Sequence, residues 1–162
     1  MGLRRIFKEL MAGPPKRPAE PSGQRPSEQG KLAGKVVILR GSGDFDLQVV
    51  GESHRQEELK RVAGPYTNDG RRVQELAVMM PDDSNPHDSN AVMVRIGAVR
   101  VGYLDRENAR LWREEVFATG VSGAGCQAII TGGWDRGRGD IGMYGVRLDV
   151  CYPFVVIAMD DA

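Results

Sequence analysis

The segment Asp82-Asp83-Ser84-Asn85-Pro86-His87-Asp88-Ser89-Asn90 is the densest polar stretch of the chain. Its three carboxylates could hold a cation or share acid–base work. A calcium loop started at Asp83 needs glycine at its sixth position and glutamate at its twelfth. Asp88 and Val94 stand there instead, which excludes an EF-hand. A structural zinc needs several histidine or cysteine ligands, and His54, His87, Cys126 and Cys151 fall at no recognisable spacing. The chain has no Gly-x-Ser-x-Gly elbow and no phosphate loop ending in Gly-Lys-Ser/Thr. Asp82, Asp83 and Asp88 leave a metal-dependent nuclease as the weakest of three functional readings. Clustered loop carboxylates more often form turns and caps. On that view Asp88 and Asn90 bond backbone N–H groups and Pro86 fixes the chain direction. No cofactor and no resident metal are expected.

The elements around this segment read mostly as strands. Val36 to Leu39 is a short apolar run, Gly41-Ser42-Gly43-Asp44 a turn, and Phe45 to Val50 alternates apolar with polar. His54 to Val62 reads as a short helix stopped by Gly64-Pro65. Arg72 to Met80 reads as a strand, and Ala91–Ile96 with Val99–Leu104 as a hairpin around Gly97. Asp105 to Thr119 is the main helix: Asp105 is suited to cap its start, Ala109, Trp112, Val116 and Phe117 form its apolar stripe, and Gly120 stops it. Cys126–Gly132 is a strand and Gly133–Gly142 a glycine-rich loop bearing Trp134, Arg136 and Arg138, read as a flexible hairpin tip. In Met143–Val150, Tyr144, Val146, Leu148 and Val150 share one face, and Tyr152–Ala158 makes a last strand. Six to eight short strands with one main helix predict a mainly β (β+α) fold, a small barrel with helical covers.

Charge and composition divide the chain. Its 162 residues hold 22 basic and 22 acidic side chains. Residues 1–35 carry eight basic and three acidic ones, net +5, which leaves the remainder at −5. Residues 1–11 read as a short basic amphipathic helix, with Leu3, Ile6, Phe7 and Leu10 on one face for a protein partner, an anionic surface or the body itself. Residues 12–34 hold Pro14, Pro15, Pro18, Pro21 and Pro26 and read as a disordered Pro/Gly/Ser-rich linker. The folded domain is expected over 35–160. The first residues lack a secretory pattern, no apolar run is long enough to span a membrane, and two cysteines cannot build a disulfide framework. These features point to a reduced, cytoplasmic protein.

Three segments in order carry a family resemblance. Val49-Val50-Gly51-Glu52-Ser53 opens it, with the helix-like segment from His54 behind. Asn85-Pro86-His87-Asp88-Ser89-Asn90-Ala91-Val92-Met93-Val94 comes next, and then Val101-Gly102-Tyr103-Leu104-Asp105-Arg106-Glu107-Asn108-Ala109. The arrangement resembles the HIRAN domain, strongly over Val49–Val116 and weakly on to about Val150. The resemblance implies an OB-like β-barrel of about six strands with one main and one short helix. It also implies a noncatalytic module that binds the free 3′ end of single-stranded DNA, in repair or replication-fork processing. Asp88 then receives the terminal hydroxyl. His87 stands where the family has tyrosine, and Ser53, His54 and Arg55 stand where it offers a basic residue and a tyrosine. Tyr103 and Arg106 fall where other members contribute a ring or imidazole and a phosphate-binding lysine. The ATPase that often accompanies the domain has no counterpart here, so no hydrolytic activity is implied. A protein-interaction or adaptor role is the alternative, suggested by the acidic body and the missing tyrosine.

Overall fold

The computed structural model describes residues 34–160, with side chains described through residue 157. The expected helix at 1–11 and nearly all of the linker lie outside the described residues. The described chain is mainly β, with two helices. The strands are β1 (Val36–Leu39), β2 (Leu47–Gln48), β3 (Arg71–Pro81), β4 (Val92–Ile96), β5 (Val99–Tyr103), β6 (Gly123–Gly132), β7 (Trp134–Asp135), β8 (Ile141–Gly142), β9 (Gly145–Asp149) and β10 (Val156–Asp160). The helices are α1 (Gln56–Ala63) and α2 (Arg106–Glu115).

Topology makes a curled sheet from these strands. Its main path is β10-β1-β6-β3-β4-β5, and β9 pairs with both β6 and β2. One edge of β6 pairs with β3 throughout, while the other pairs in parallel with β1 at Val36↔Gly123 and antiparallel with β9 at Ile130↔Val146. Beyond β2, Val50 meets Tyr103 of β5: each backbone N–H donates to the other's carbonyl, at 2.8 and 2.9 Å. That bridge closes a circuit of six strands, β6-β3-β4-β5-β2-β9. Gly102 makes the closure possible, because a Cβ there would lie 2.4 Å from the Val50 carbonyl oxygen.

Side-chain alternation sorts the two faces of the circuit. Val92, Val94 and Ile96 of β4, Ala124, Cys126, Ala128 and Ile130 of β6, and Tyr144, Val146 and Leu148 at β9 point into one buried cluster. Both helices cover it, α1 through Leu59 and Ala63 and α2 through Ala109 and Trp112. Burying each of these larger side chains stabilises the fold by roughly 1.5–3 kcal/mol. Asp105 caps α2 as its sequence predicts, its carboxylate accepting from the backbone N–H of Asn108 at 3.0 Å. Burial works to raise the pKa of Asp105, but the hydrogen bonds from Asn108 and its neighbours outweigh it and leave the pKa below the ordinary carboxylate value. The helix is shorter than expected and ends at Glu115, with a separate 3-10 turn over Phe117–Thr119.

Three other segments differ from expectation. The strand expected over Phe45–Val50 is confined to Leu47–Gln48, because Phe45 sits at φ 52° and Asp149 Oδ1 holds the preceding turn through the Gly43 N–H at 2.8 Å. The glycine-rich segment is a hairpin, as expected, but a paired one rather than a flexible tip. Trp134 pairs with Gly142, whose missing Cβ leaves room for the indole, and the indole N–H donates to Asp140. The last strand begins at Val156; before it, the Tyr152 hydroxyl donates to Asn108 and the Phe154 N–H donates to Glu115, so this stretch runs along α2 rather than the sheet. Among the described residues, no helix is long and apolar enough to cross a membrane.

Candidate nucleic-acid interface

Tyr103 and the turn that carries Ser53, His54 and Arg55 lie where the circuit closes. The Val50–Tyr103 bridge sets the chain's direction into Gly51, which sits at φ 84° and opens a 3-10 turn over Glu52–His54. Ser53 and His54 are exposed on that turn. Arg55 comes after it half-buried, and its Nη1 donates to Glu58 at 3.2 Å. The turn is braced from below, since Gln56 Nε2 donates to the carbonyls of Glu52 and Tyr144 at 2.8 and 2.9 Å.

Tyr103 forms the centre. Its hydroxyl donates to Asp82 Oδ2 at 2.9 Å and accepts from Arg100 Nη1 at 2.7 Å. The Arg100 guanidinium also lies 5.2 Å from the tyrosine ring centre. Burial, and then the Asp82 carboxylate, push the Tyr103 pKa up; a hydrogen bond from Asn85 and the charge of Arg55 oppose that rise.

The loop between β3 and β4 is a stapled turn; Asp88 bonds a backbone N–H as expected, while the part expected of Asn90 falls to Asn85. Asn85 Oδ1 accepts from the N–H groups of His87 and Asp88 at 2.9 and 3.1 Å. Asp88 Oδ1 accepts from Asn90 N–H at 2.9 Å, and its Oδ2 has no hydrogen bond among the described residues. The His87 ring is exposed. Arg113 of α2 ties the loop down, donating through Nε to the Asn90 carbonyl and through Nη2 to the Ala91 carbonyl, both at 2.8 Å. Its Nη1 lies 2.9 Å from Asp83 Oδ1.

The three carboxylates of the metal-dependent nuclease reading are engaged separately. Asp82 is buried and bonded to Tyr103 and Ser84, Asp83 pairs with Arg113, and Asp88 closes its own turn. Among the described residues no group of three or more histidine, cysteine or carboxylate side chains could hold a metal ion. Arg106 is exposed on the first turn of α2, three residues beyond Tyr103, with no ion pair or hydrogen bond to the other site residues.

Sequence reasoning missed Asp82 as the support for Tyr103, along with Arg95 and Arg100. A signal for the last two existed. A two-residue turn at Gly97-Ala98 places Ile96 opposite Val99, and hence Arg95 opposite Arg100.

No family model matches the chain, and no curated protein matches it. Among solved structures, the HIRAN domain of human HLTF is similar at 19% identity, covering 72% of this chain and 78% of that chain with a TM-score of 0.32. That structure belongs to the family which the motifs of this sequence resemble. A superposition so loose fixes no correspondence between individual site residues.

Proposed function

We propose that this chain is a noncatalytic nucleic-acid-binding module that takes the 3′ end of single-stranded DNA at the barrel seam. The cytoplasm is its place of action in this reading, and DNA repair or replication-fork processing its context. The observation that carries the reading is Tyr103 held at the seam between Asp82 and Arg100, beside a loop that presents Asp88 with one carboxylate oxygen unused. That oxygen can accept a hydrogen bond from a terminal 3′-hydroxyl and repels a terminal phosphate. His54 and His87, both exposed, offer ring faces for the last bases, where stacking contributes about 1–3 kcal/mol per base whatever the sequence. Ser53, Arg55 and Arg106 supply donors to the backbone phosphates. The binding anisotropy of a labelled oligonucleotide with a 3′-hydroxyl, set against the same strand with a 3′-phosphate, tests this. Tighter binding of the hydroxyl end supports the reading, and equal binding refutes end capture.

One observation favours an adaptor role as a second reading. Tyr152, Val156 and Ile157 are 48%, 40% and 50% exposed along and just before β10, which lies at the end of the main sheet path. A protein contact there would depend weakly on salt, whereas a phosphate-tracking interface loses affinity steeply.

A further inference from the structure

We infer that Arg95 and Arg100 form a subsite for an internal phosphodiester of the bound strand, on the outer face of the β4–β5 hairpin beside the seam. The inference rests on the nucleic-acid reading above and extends it from the strand's end to its body.

The hairpin register sets these arginines directly opposite one another. Like charges facing each other across a strand pair destabilise it, so an arrangement of this kind calls for a compensating anion. Neither side chain has a carboxylate within ion-pair distance among the described residues. Arg95 donates through Nη2 to the Ala98 carbonyl at 2.9 Å, and Arg100 donates to the Tyr103 hydroxyl. Arg100 Nε is buried without a hydrogen-bond partner. Asp82, the carboxylate nearest in this network, is already held by Tyr103 and Ser84.

A register shift between Val94 and Arg95 explains why the pair faces the site. Arg95 pairs with Arg100, Val94 with Gly102 and Met93 with Tyr103, so β5 carries one extra residue, Val101. Arg100 and Tyr103, three residues apart, are thereby turned to the same side. The arginine pair lies two residues along from the Met93–Tyr103 pair, about 7 Å at the rise of a strand. A nucleic-acid strand whose end sits at Tyr103 can pass over it. Val78, the β3 neighbour of Arg95, is buried yet lies outside the core cluster, so this outer face also offers a packed apolar floor. Guanidinium groups suit the role, because their fork of N–H donors matches phosphate oxygens in geometry as well as charge.

The test uses the full chain and a 5′-fluorescein-labelled 12-nucleotide oligothymidylate with a 3′-hydroxyl, titrated across a salt series. Substitution Arg95→Gln removes one phosphate contact without touching Tyr103. It should reduce the steepness of log affinity against log salt by about 0.7, a loss of about fivefold at 0.1 M salt. Arg95→Lys should keep most of the slope, and Arg61→Gln on α1 should leave it unchanged. Thermal melts confirm that each variant is folded. Binding that keeps its preference for a 3′-hydroxyl, with an unchanged slope in Arg95→Gln, overturns the subsite alone. Absence of binding to any oligonucleotide overturns the subsite and the end-binding reading together.

Discussion

Replacing Gly102 with alanine should open the barrel at its seam. The new methyl carbon would stand 2.4 Å from the Val50 carbonyl oxygen and 2.5 Å from Val49 Cγ1. The first of these is a backbone atom and cannot swing aside as a flexible side chain could. The two strands must separate there, which weakens both hydrogen bonds of the Val50–Tyr103 bridge, now 2.8 and 2.9 Å long. Each bond contributes about 1 kcal/mol net, and forcing a methyl group into packed space costs about 1–3 kcal/mol. The sum is about 3–5 kcal/mol, or a fall in Tm of roughly 10–20 °C for a domain of this size. Urea unfolding monitored by circular dichroism measures it. Gly145→Ala is the matched control, because a Cβ at that strand position meets nothing closer than 3.9 Å. If the two variants prove equally stable, the seam does not depend on close approach at Gly102 and the account of barrel closure fails.

Other consequences can be checked together. Asp105→Ala removes the cap of α2 and should cost about 1 kcal/mol at pH 7. Because the folded pKa of Asp105 is depressed, its contribution is present above the unfolded value of about 3.9 and disappears as pH falls through the lower folded value. The gap in urea midpoint between wild type and Asp105→Ala should therefore close in acid. Burial, and then the Asp149 charge, push the Cys126 thiol up to about 12. Native protein should thus show one thiol, Cys151, that reacts with a disulfide reagent at pH 8, and two in denaturant. Arg113→Met removes the hydrogen bonds that tie Asn90 and Ala91 to α2; amide exchange across residues 84–90 should speed up by at least about tenfold while the core strands of β6 stay protected.

Much of the fold was readable where it depends on neighbours in sequence. The hairpin around Gly97, the Asp105 cap and the buried face Tyr144-Val146-Leu148-Val150 arise from local pairing, capping and alternation, and each is present. The turn chemistry of Asp88 was equally local, although the second staple is Asn85 rather than the expected Asn90. The parallel pairing of β1 with β6, the Val50–Tyr103 bridge and the reach of Arg113 back to Asp83 join residues far apart in the chain. No periodicity announces such contacts. Asp82 shows the same limit from another side: its neighbours made it look like one of three equivalent loop carboxylates, while the fold buries it under Tyr103. The hairpin of Trp134 was legible, but its pairing was not. Its glycines suggested looseness, although Gly142 is there because the indole needs the space.

The most direct test of end recognition is a binding cycle with two proteins and two ligands. Wild type and Asp88→Ala are each titrated with a short oligonucleotide ending in a 3′-hydroxyl and with the same strand ending in a 3′-phosphate. Charges about 4 Å apart interact by about 1 kcal/mol in water and about 4 kcal/mol near a protein surface. Wild type should therefore prefer the hydroxyl end by at least about fivefold, and Asp88→Ala should bind both ends alike. A preference that survives Asp88→Ala unchanged, or no preference in wild type, would contradict the account.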